Sequence, residues 1–301
     1  MATVQNSLAS LGEFGFIKQI SRMFPVPSGI VGIGDDCAVF GWEPGKKVLW
    51  TTDMLICGVH FTLKMPPKAI GRKALASSIS DVAAMGGVAR YAVISLGVPA
   101  SASVKVLSSV YQGIKALAKE YDILIVGGDT VRSKELVINI ALLGQAAEKN
   151  IIYRNQARPG DQIFVSGPLG NSFKSGHHLY FTPRVKESQY LVKHAKPSAM
   201  IDISDGLAAD LGHIVEKSRV GAVLFKSQIP RREKATFTQA LFDGEDFELL
   251  FTVNKDNARK LLKTKSPRFF HVGEITLQKG LRLKDTQGRI SPLKAKGYRH
   301  F

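Results

Sequence analysis

Apolar residues along this chain fall into two spacings, and the alternation between them predicts its elements. Residues 13–24 (EFGFIKQISRMF) set them at helical intervals until Pro25 and Pro27 end the segment. Strand-like runs follow at 37–40 and 48–53, then a helix over about 68–84 and a strand at 91–98. A second helix over about 103–119 and strands at 123–126 and 136–143 complete the first half. Polar Glu148-Lys149-Asn150 interrupts the pattern, and Arg158-Pro159-Gly160-Asp161 marks a turn before the next strand at 162–166. The second half opens with a helical region around 171–195. It continues with strands at 199–203, 222–225 and 248–253, helices at 206–218, 232–241 and 255–264, and terminal strands. Interleaved helices and strands predict an α/β (α+β) chain in two lobes, 1–148 and 149–301.

Composition narrows the class. With 301 residues, 45% of them hydrophobic, the chain can bury a substantial core. No apolar run approaches the roughly 18 residues of a spanning helix, and the N-terminus lacks a basic region followed by an apolar stretch. Neither secretion nor a membrane partner is expected. Cys37 and Cys57 have no C-x-x-C spacing, which suggests packing thiols in a reducing compartment, the cytoplasm, and no zinc site. The net charge of +16 raises nucleic acid as a partner. Basic residues are spread along the chain, however, with no stripe interleaved with aromatics, so no nucleic acid is expected and a solvated basic surface is the plainer reading.

The chemistry begins at GIGDDCAVF, residues 32–40. Its glycines open like a dinucleotide-binding turn, but Cys37 stands where a third glycine belongs and a strand follows instead of a helix. Two adjacent carboxylates would also repel a phosphate unless a cation sat between them. Acidic residues recur in similar settings: Asp53 in TTDMLICGVHF, Asp81 in SISDVAAMGG, Asp129 in VGGDTVRS, Asp202 and Asp205 in DISDGLAAD, Glu245 and Asp246 in DGEDFELLF. Singly, each reads as a turn former or helix cap. Gathered together they would need bound cations, because each close pair repels by about a few kcal/mol at an effective dielectric near 20. An oxygen-only donor set favours Mg²⁺, which commonly shares its shell with water and phosphates. A P-loop is excluded, since residues 41–47 have the wrong spacing and no Ser or Thr follows Lys46.

The motifs GIGDDCAVF, TTDMLICGVHF, GRKALASSISDVAAMGG, VGGDTVRS, RPGDQIFVSGPLGNS, MIDISDGLAADLGHI, GEDFELLF and GYRHF stand in a telling order and spacing. From about residue 30 to the C-terminus the chain resembles the thiamine-monophosphate kinase family, within the aminoimidazole-ribonucleotide-synthetase-like ATP-binding superfamily. The resemblance implies a two-lobe fold. An N-terminal lobe would pair its sheet with a second copy in a homodimer, ATP would bind near the subunit junction, and a C-terminal lobe would close over the acceptor. It also implies phosphorylation of thiamine monophosphate to the diphosphate with ATP and several Mg²⁺ ions. By this resemblance Asp35, Thr51, Thr52, Asp53, Asp81, Asp129, Asp202 and Asp205 hold or support the metal, with Asp35 a ligand and Asp36 either orienting it or forming the turn. Tyr111, Gly128, Asp129, Arg154 and Ser204 would contact ATP, while His60, Glu245 and Tyr298 would meet the thiamine phosphate.

A phosphate-monoester acceptor is already ionised near neutral pH, so neither a covalent nucleophile nor a general base is expected, and transfer should be direct and in line. Three departures stand out. Asp243 opens DGED where the family usually has Gly-Gly-Glu-Asp, Arg299 interrupts the tail, and residues 171–180 are irregular. The first two fall near the inferred acceptor pocket. Aminoimidazole-ribonucleotide synthetase and a non-catalytic nucleotide-binding relative are the competing readings.

Overall fold

Two mixed sheets organise the computed structural model, which describes residue 15 and residues 27–31, 34–264 and 268–300. The helix expected over 13–24 lies outside the described residues apart from Gly15, as do Gly32, Ile33 and Phe301. The first sheet contains β1 (Ala38–Glu43), β2 (Lys46–Ile56), β3 (Val88–Val98), β4 (Leu124–Arg132) and β5 (Val137–Ala147). Their spatial order is β1-β2-β5-β3-β4. Helices α1 (Pro67–Ala84) and α2 (Val104–Glu120) share its hydrophobic core. Among the described residues of this sheet, β3 and β4 alone run parallel, and α2 supplies the crossover that a parallel pair requires.

The second sheet contains β6 (Gln162–Val165), β7 (Ala199–Asp202), β8 (Gly221–Phe225), β9 (Leu249–Val253), β10 (Phe270–Thr276), β11 (Gly280–Lys284) and β12 (Ile290–Leu293). The order here is β12-β11-β8-β10-β6-β9-β7. Its helices are α3 (Ser172–Ser175), α4 (His177–Tyr180), α5 (Val185–His194), α6 (Leu207–Ser218), α7 (Phe237–Phe242) and α8 (Lys255–Lys263). The helical region expected around 171–195 is thus divided, because Gly176 turns into the left-handed region (φ 76°) and Pro183 interrupts the chain again. Helix α7 starts later than expected, since Thr236 and Gln239 form a capping box that fixes its first turn. Among the described residues no helix is long and apolar enough to cross a membrane.

Period-two patterning aims the side chains of the first sheet. On β2, Leu49 and Leu55 are buried, and Thr51 and Asp53 share their face, while Trp50, Thr52 and Met54 occupy the opposite, open face. Helix α1 enters through Pro67 in its first turn and is buried on nearly all sides. Its small residues allow this. A Cβ on Gly71 would collide with the Val110 carbonyl and one on Gly113 with the Lys68 carbonyl, so α1 and α2 meet backbone to backbone at these glycines. The second sheet's elements close on the other side of α1: Ser188 Oγ donates to the Ala83 carbonyl at 2.6 Å, and an Arg72 N–H to the Phe181 carbonyl at 2.5 Å. Elements packed on both sheets therefore hold α1, and the polar groups it carries lie between the two sheets.

Candidate active site

Carboxylates from three separate elements converge at one end of α1. Asp81 lies in its last turn, Asp202 ends β7 and Asp36 precedes β1, with carboxylate oxygens all within 4.8 Å of one another. Asp53, inward on β2, raises the pKa of both Asp81 and Asp202 through its charge, and it accepts a hydrogen bond from Ser78 Oγ at 3.3 Å. Thr51 Oγ1 donates to Asp81 Oδ2 at 2.7 Å and Ser80 Oγ to Asp202 Oδ2 at 2.6 Å.

The electrostatics of this cluster are unfavourable by themselves. Two ionised carboxylates 4.8 Å apart repel by roughly 3 kcal/mol at an effective dielectric of about 20. Burial first, then Asp202 and Asp35, pushes Asp36 up to about 8 despite the opposing Arg154 charge. Asp202 is pushed up to about 6, chiefly by burial, with Ser80 opposing and Asp53 adding to the rise. Asp81 is raised well above the usual range by burial and its acidic neighbours, at a helix C-terminus whose last turn carries no basic residue.

One guanidinium offsets part of this charge. Arg154 places Nε 3.2 Å from Asp35 Oδ1 and Nη2 2.7 Å from Asp36 Oδ1. Among the described residues, Asp36 Oδ2 is buried with no hydrogen-bond partner. An oxygen-only donor set, buried and over-charged, with one oxygen unpartnered, fits a hard divalent cation of the Mg²⁺ type. Beside it Asp205, Asp210 and His213 form a second close group, in which Asp210 Oδ2 accepts the Asp205 and Gly206 N–H groups.

A cavity of about 650 Å³ adjoins the cluster. His60, Glu245 and Tyr298, expected around the acceptor, all line it, together with Ser204, Asp205 and the aromatic rings of Phe173 and Phe242. Asp53 lines the cavity too and so links the two sites. Lys73, Ser77 and Asp81 recur every fourth residue on α1, a stripe of roughly 12 Å that runs from the cavity to the cluster. His60 Nδ1 accepts the Ile56 N–H at 3.0 Å, which leaves Nε2 as the protonated nitrogen. Burial lowers the His60 pKa and keeps the ring neutral. The C-terminal tail crosses the cavity: Tyr298 N–H donates to the Asp205 carbonyl at 2.9 Å, and His300 stands 5.2 Å from the His60 ring.

Other expected site residues lie elsewhere in a single chain. Thr52 points to the open face of the first sheet and donates to Asn139 Oδ1 at 3.1 Å. Asp129 is exposed on edge strand β4, three strands and therefore about 14 Å from β2. Its Oδ1 accepts the Thr130 N–H at 2.7 Å. Sheet register puts it in one row with Ser95, Asn139 and Met54, so the geometry of one chain does not bring Thr52 or Asp129 to the carboxylate cluster. Gly128 has no room for a Cβ against the Ile94 carbonyl. Tyr111 lines a different cavity, about 860 Å³ and largely apolar, between α2 and β4. Sequence reasoning passed over Lys73 and His178, which contact Glu245; the available signal was a lysine within the small-residue helix GRKALASSISDVAA.

Residues 34–146 match the AIR synthase related protein N-terminal domain and residues 152–286 the corresponding C-terminal domain. Fold and site thus define an AIR synthase related protein. The chain is 36% identical to the thiamine-monophosphate kinase of Buchnera aphidicola subsp. Schizaphis graminum, over 90% of this chain and 93% of that one. With the thiamine-monophosphate kinase of Bacillus subtilis it shares 32% identity over 97% and 100% of the two chains. The solved structure of AaThiL complexed with AMPPCP and TMP superimposes with a TM-score of 0.88 at 31% identity, covering 99% of this chain and 100% of that one. The chain belongs to the thiamine-monophosphate kinase family.

Proposed function

We infer that this protein transfers a phosphoryl group from ATP to thiamine monophosphate and forms thiamine diphosphate. One observation carries the reading: the cavity that holds His60, Glu245 and Tyr298 shares Asp53 with the buried carboxylate cluster. An acceptor seated there puts its phosphate next to the groups suited to a divalent cation. The relatives named above and the nucleotide analogue bound in AaThiL support the same reaction.

Asp35, Asp36, Asp53, Asp81, Asp202 and Asp205, with Thr51, would hold Mg²⁺, which when bound neutralises phosphate charge. The remaining work falls to the chain itself. Aromatic walls, with Tyr298 held over Asp205, seat the acceptor ring and exclude water. Arg154 offers its guanidinium to the nucleotide phosphates from beside the cluster, and Ser204 lines the same space. The ionised acceptor phosphate needs no base, which suits direct in-line transfer. Tyr111 and its apolar neighbours form a site for the nucleotide base. We further propose that two copies pair through the open face of the first sheet, which would place Thr52, Gly128 and Asp129 at the subunit junction near ATP. The first sheet, up to about residue 148, then forms the ATP-binding and dimerisation domain, and the rest closes over the acceptor. The unpaired Cys37 and Cys57 are consistent with a cytoplasmic protein.

Coupled ADP release with thiamine monophosphate, thiamine and formylglycinamidine ribonucleotide, each with and without Mg²⁺, tests this reading. ADP together with thiamine diphosphate should appear only with thiamine monophosphate and Mg²⁺. ADP release with formylglycinamidine ribonucleotide alone, or a phosphorylated protein trapped during turnover, would overturn it.

A further inference from the structure

Lys73 is an anomaly on α1. It is 1% exposed among alanines, serines and apolar residues, at a position where an uncharged side chain would avoid the desolvation of an ammonium. Its Nζ lies 2.6 Å from the His60 carbonyl, 2.5 Å from Glu245 Oε1 and 3.0 Å from His178 Nδ1. An ammonium has three N–H donors, and these partners use all of them. They belong to the connection after β2, to the loop before β9 and to α4. One side chain therefore ties together opposite walls of the acceptor cavity.

Glu245 is held at its backbone as well. Its N–H donates to the Ser204 carbonyl at 2.7 Å and its carbonyl accepts from Ser172 Oγ at 2.6 Å. Its φ is 65°, in the left-handed region that glutamate seldom adopts, and such conformations persist where surrounding structure over-determines them, often at ligand sites. The carboxylate is not used up by these contacts. Among the described residues, its second oxygen, Oε2, is buried with no hydrogen bond of its own. It lies 3.2 Å from His178 Nδ1, which is also 3.0 Å from Lys73 Nζ, so the His178 ring contacts both members of the pair. The His178 ring in turn stacks on Phe173, with centroids 4.4 Å apart, and Phe173 forms part of the cavity wall.

We propose that Lys73 is a positioning residue for acceptor recognition: it fixes Glu245 in the wall of the acceptor cavity. This assignment rests on the functional reading above. It acts through binding, so it has a kinetic signature that a packing role lacks.

The test compares Lys73→Met, Glu245→Gln and the double variant by steady-state kinetics, with thermal unfolding as a check on folding. Lys73→Met should raise KM for thiamine monophosphate about tenfold or more while KM for ATP and kcat stay within about twofold. In the double variant, KM should equal that of Glu245→Gln alone, because Lys73 acts through Glu245. If Lys73→Met does not fold because Glu245 is left buried and unpaired, the double variant removes that charge, and its comparison with Glu245→Gln decides the matter. A further tenfold rise there overturns the assignment. So does a folded Lys73→Met with unchanged KM and reduced kcat, which marks a packing role. Wild-type protein that does not turn over thiamine monophosphate overturns the functional reading and this assignment together; wild-type turnover with an unaltered Lys73→Met KM removes the assignment alone.

Discussion

Asp35 and Asp36 are neighbours in sequence with different surroundings. Both contact Arg154, yet the Asp36 carboxylate is the one that joins Asp81 and Asp202 and keeps an oxygen without a partner. Asp36→Asn removes one of the oxygens that fit a cation and loosens Arg154. The Mg²⁺ concentration for half-maximal activity should rise about 10- to 100-fold, while far-ultraviolet circular dichroism stays unchanged. An unaltered Mg²⁺ requirement would return Asp36 to the role of a turn former. By sequence the ligand role falls to Asp35 and Asp36 is left as its orienter or a turn former, for a physical reason. GIGDD fixes a turn locally, but the burial of Asp36 depends on α1 and β7, which arrive much later in the chain. Lys73 was illegible for the same reason, since its carboxylate partner lies 172 residues away.

Legibility improves for an element whose pattern is set by one face. The alternation on β2 and the helical spacing over 68–84 predicted where these elements lie and left Asp53 and Asp81 inside. It failed where pairing or punctuation decides. The Gly-Gly-Asp of VGGDTVRS looked like a turn, but register with β3 carries β4 through Asp129 to Arg132. The segment after β6 looked helical throughout, but Gly176 ends α3 and sets His177 at the start of α4. That placement has a pH consequence. Burial first, then the Arg232 charge, lowers His177 to about 4, while its Nε2 lies 3.3 Å from the Asp246 carbonyl. A histidine whose folded pKa lies below its unfolded value of about 6.5 takes up its proton more readily in the unfolded chain. Its contribution to stability is complete above that value and is lost as pH falls toward 4. Urea midpoints measured from pH 7.5 down to pH 4.5 should therefore fall less steeply for His177→Gln than for the wild type. Equal slopes would show that His177 is solvated in the native protein.

At the scale of the whole molecule, the two faces of the first sheet differ in what covers them. One lies on α1 and α2; the other carries Trp50, Met54, Tyr91 and Val93 largely uncovered, with Trp50 and Tyr91 both in register with Leu143. Contiguous apolar surface of this kind is uncommon on a monomer and suits a second sheet of the same shape. Thr52 and Asp129 lie on this face, apart from the carboxylates of their own chain, so pairing would determine whether they take part in nucleotide binding. Light scattering of the wild type should give about twice the chain mass of 32.8 kDa. A charge in the middle of the patch, Met54→Lys, should yield the single-chain mass, because an unpaired charge is strongly disfavoured at the core of an interface. Its thermal midpoint should fall only modestly, since Met54 is half exposed within one chain. Because Met54 also borders the acceptor cavity, Tyr91→Lys, on the same face but away from that cavity, should lose most of its ADP release along with Met54→Lys. A monomeric Met54→Lys protein with wild-type turnover would mean that Thr52 and Asp129 serve no subunit junction and that one chain holds the complete site.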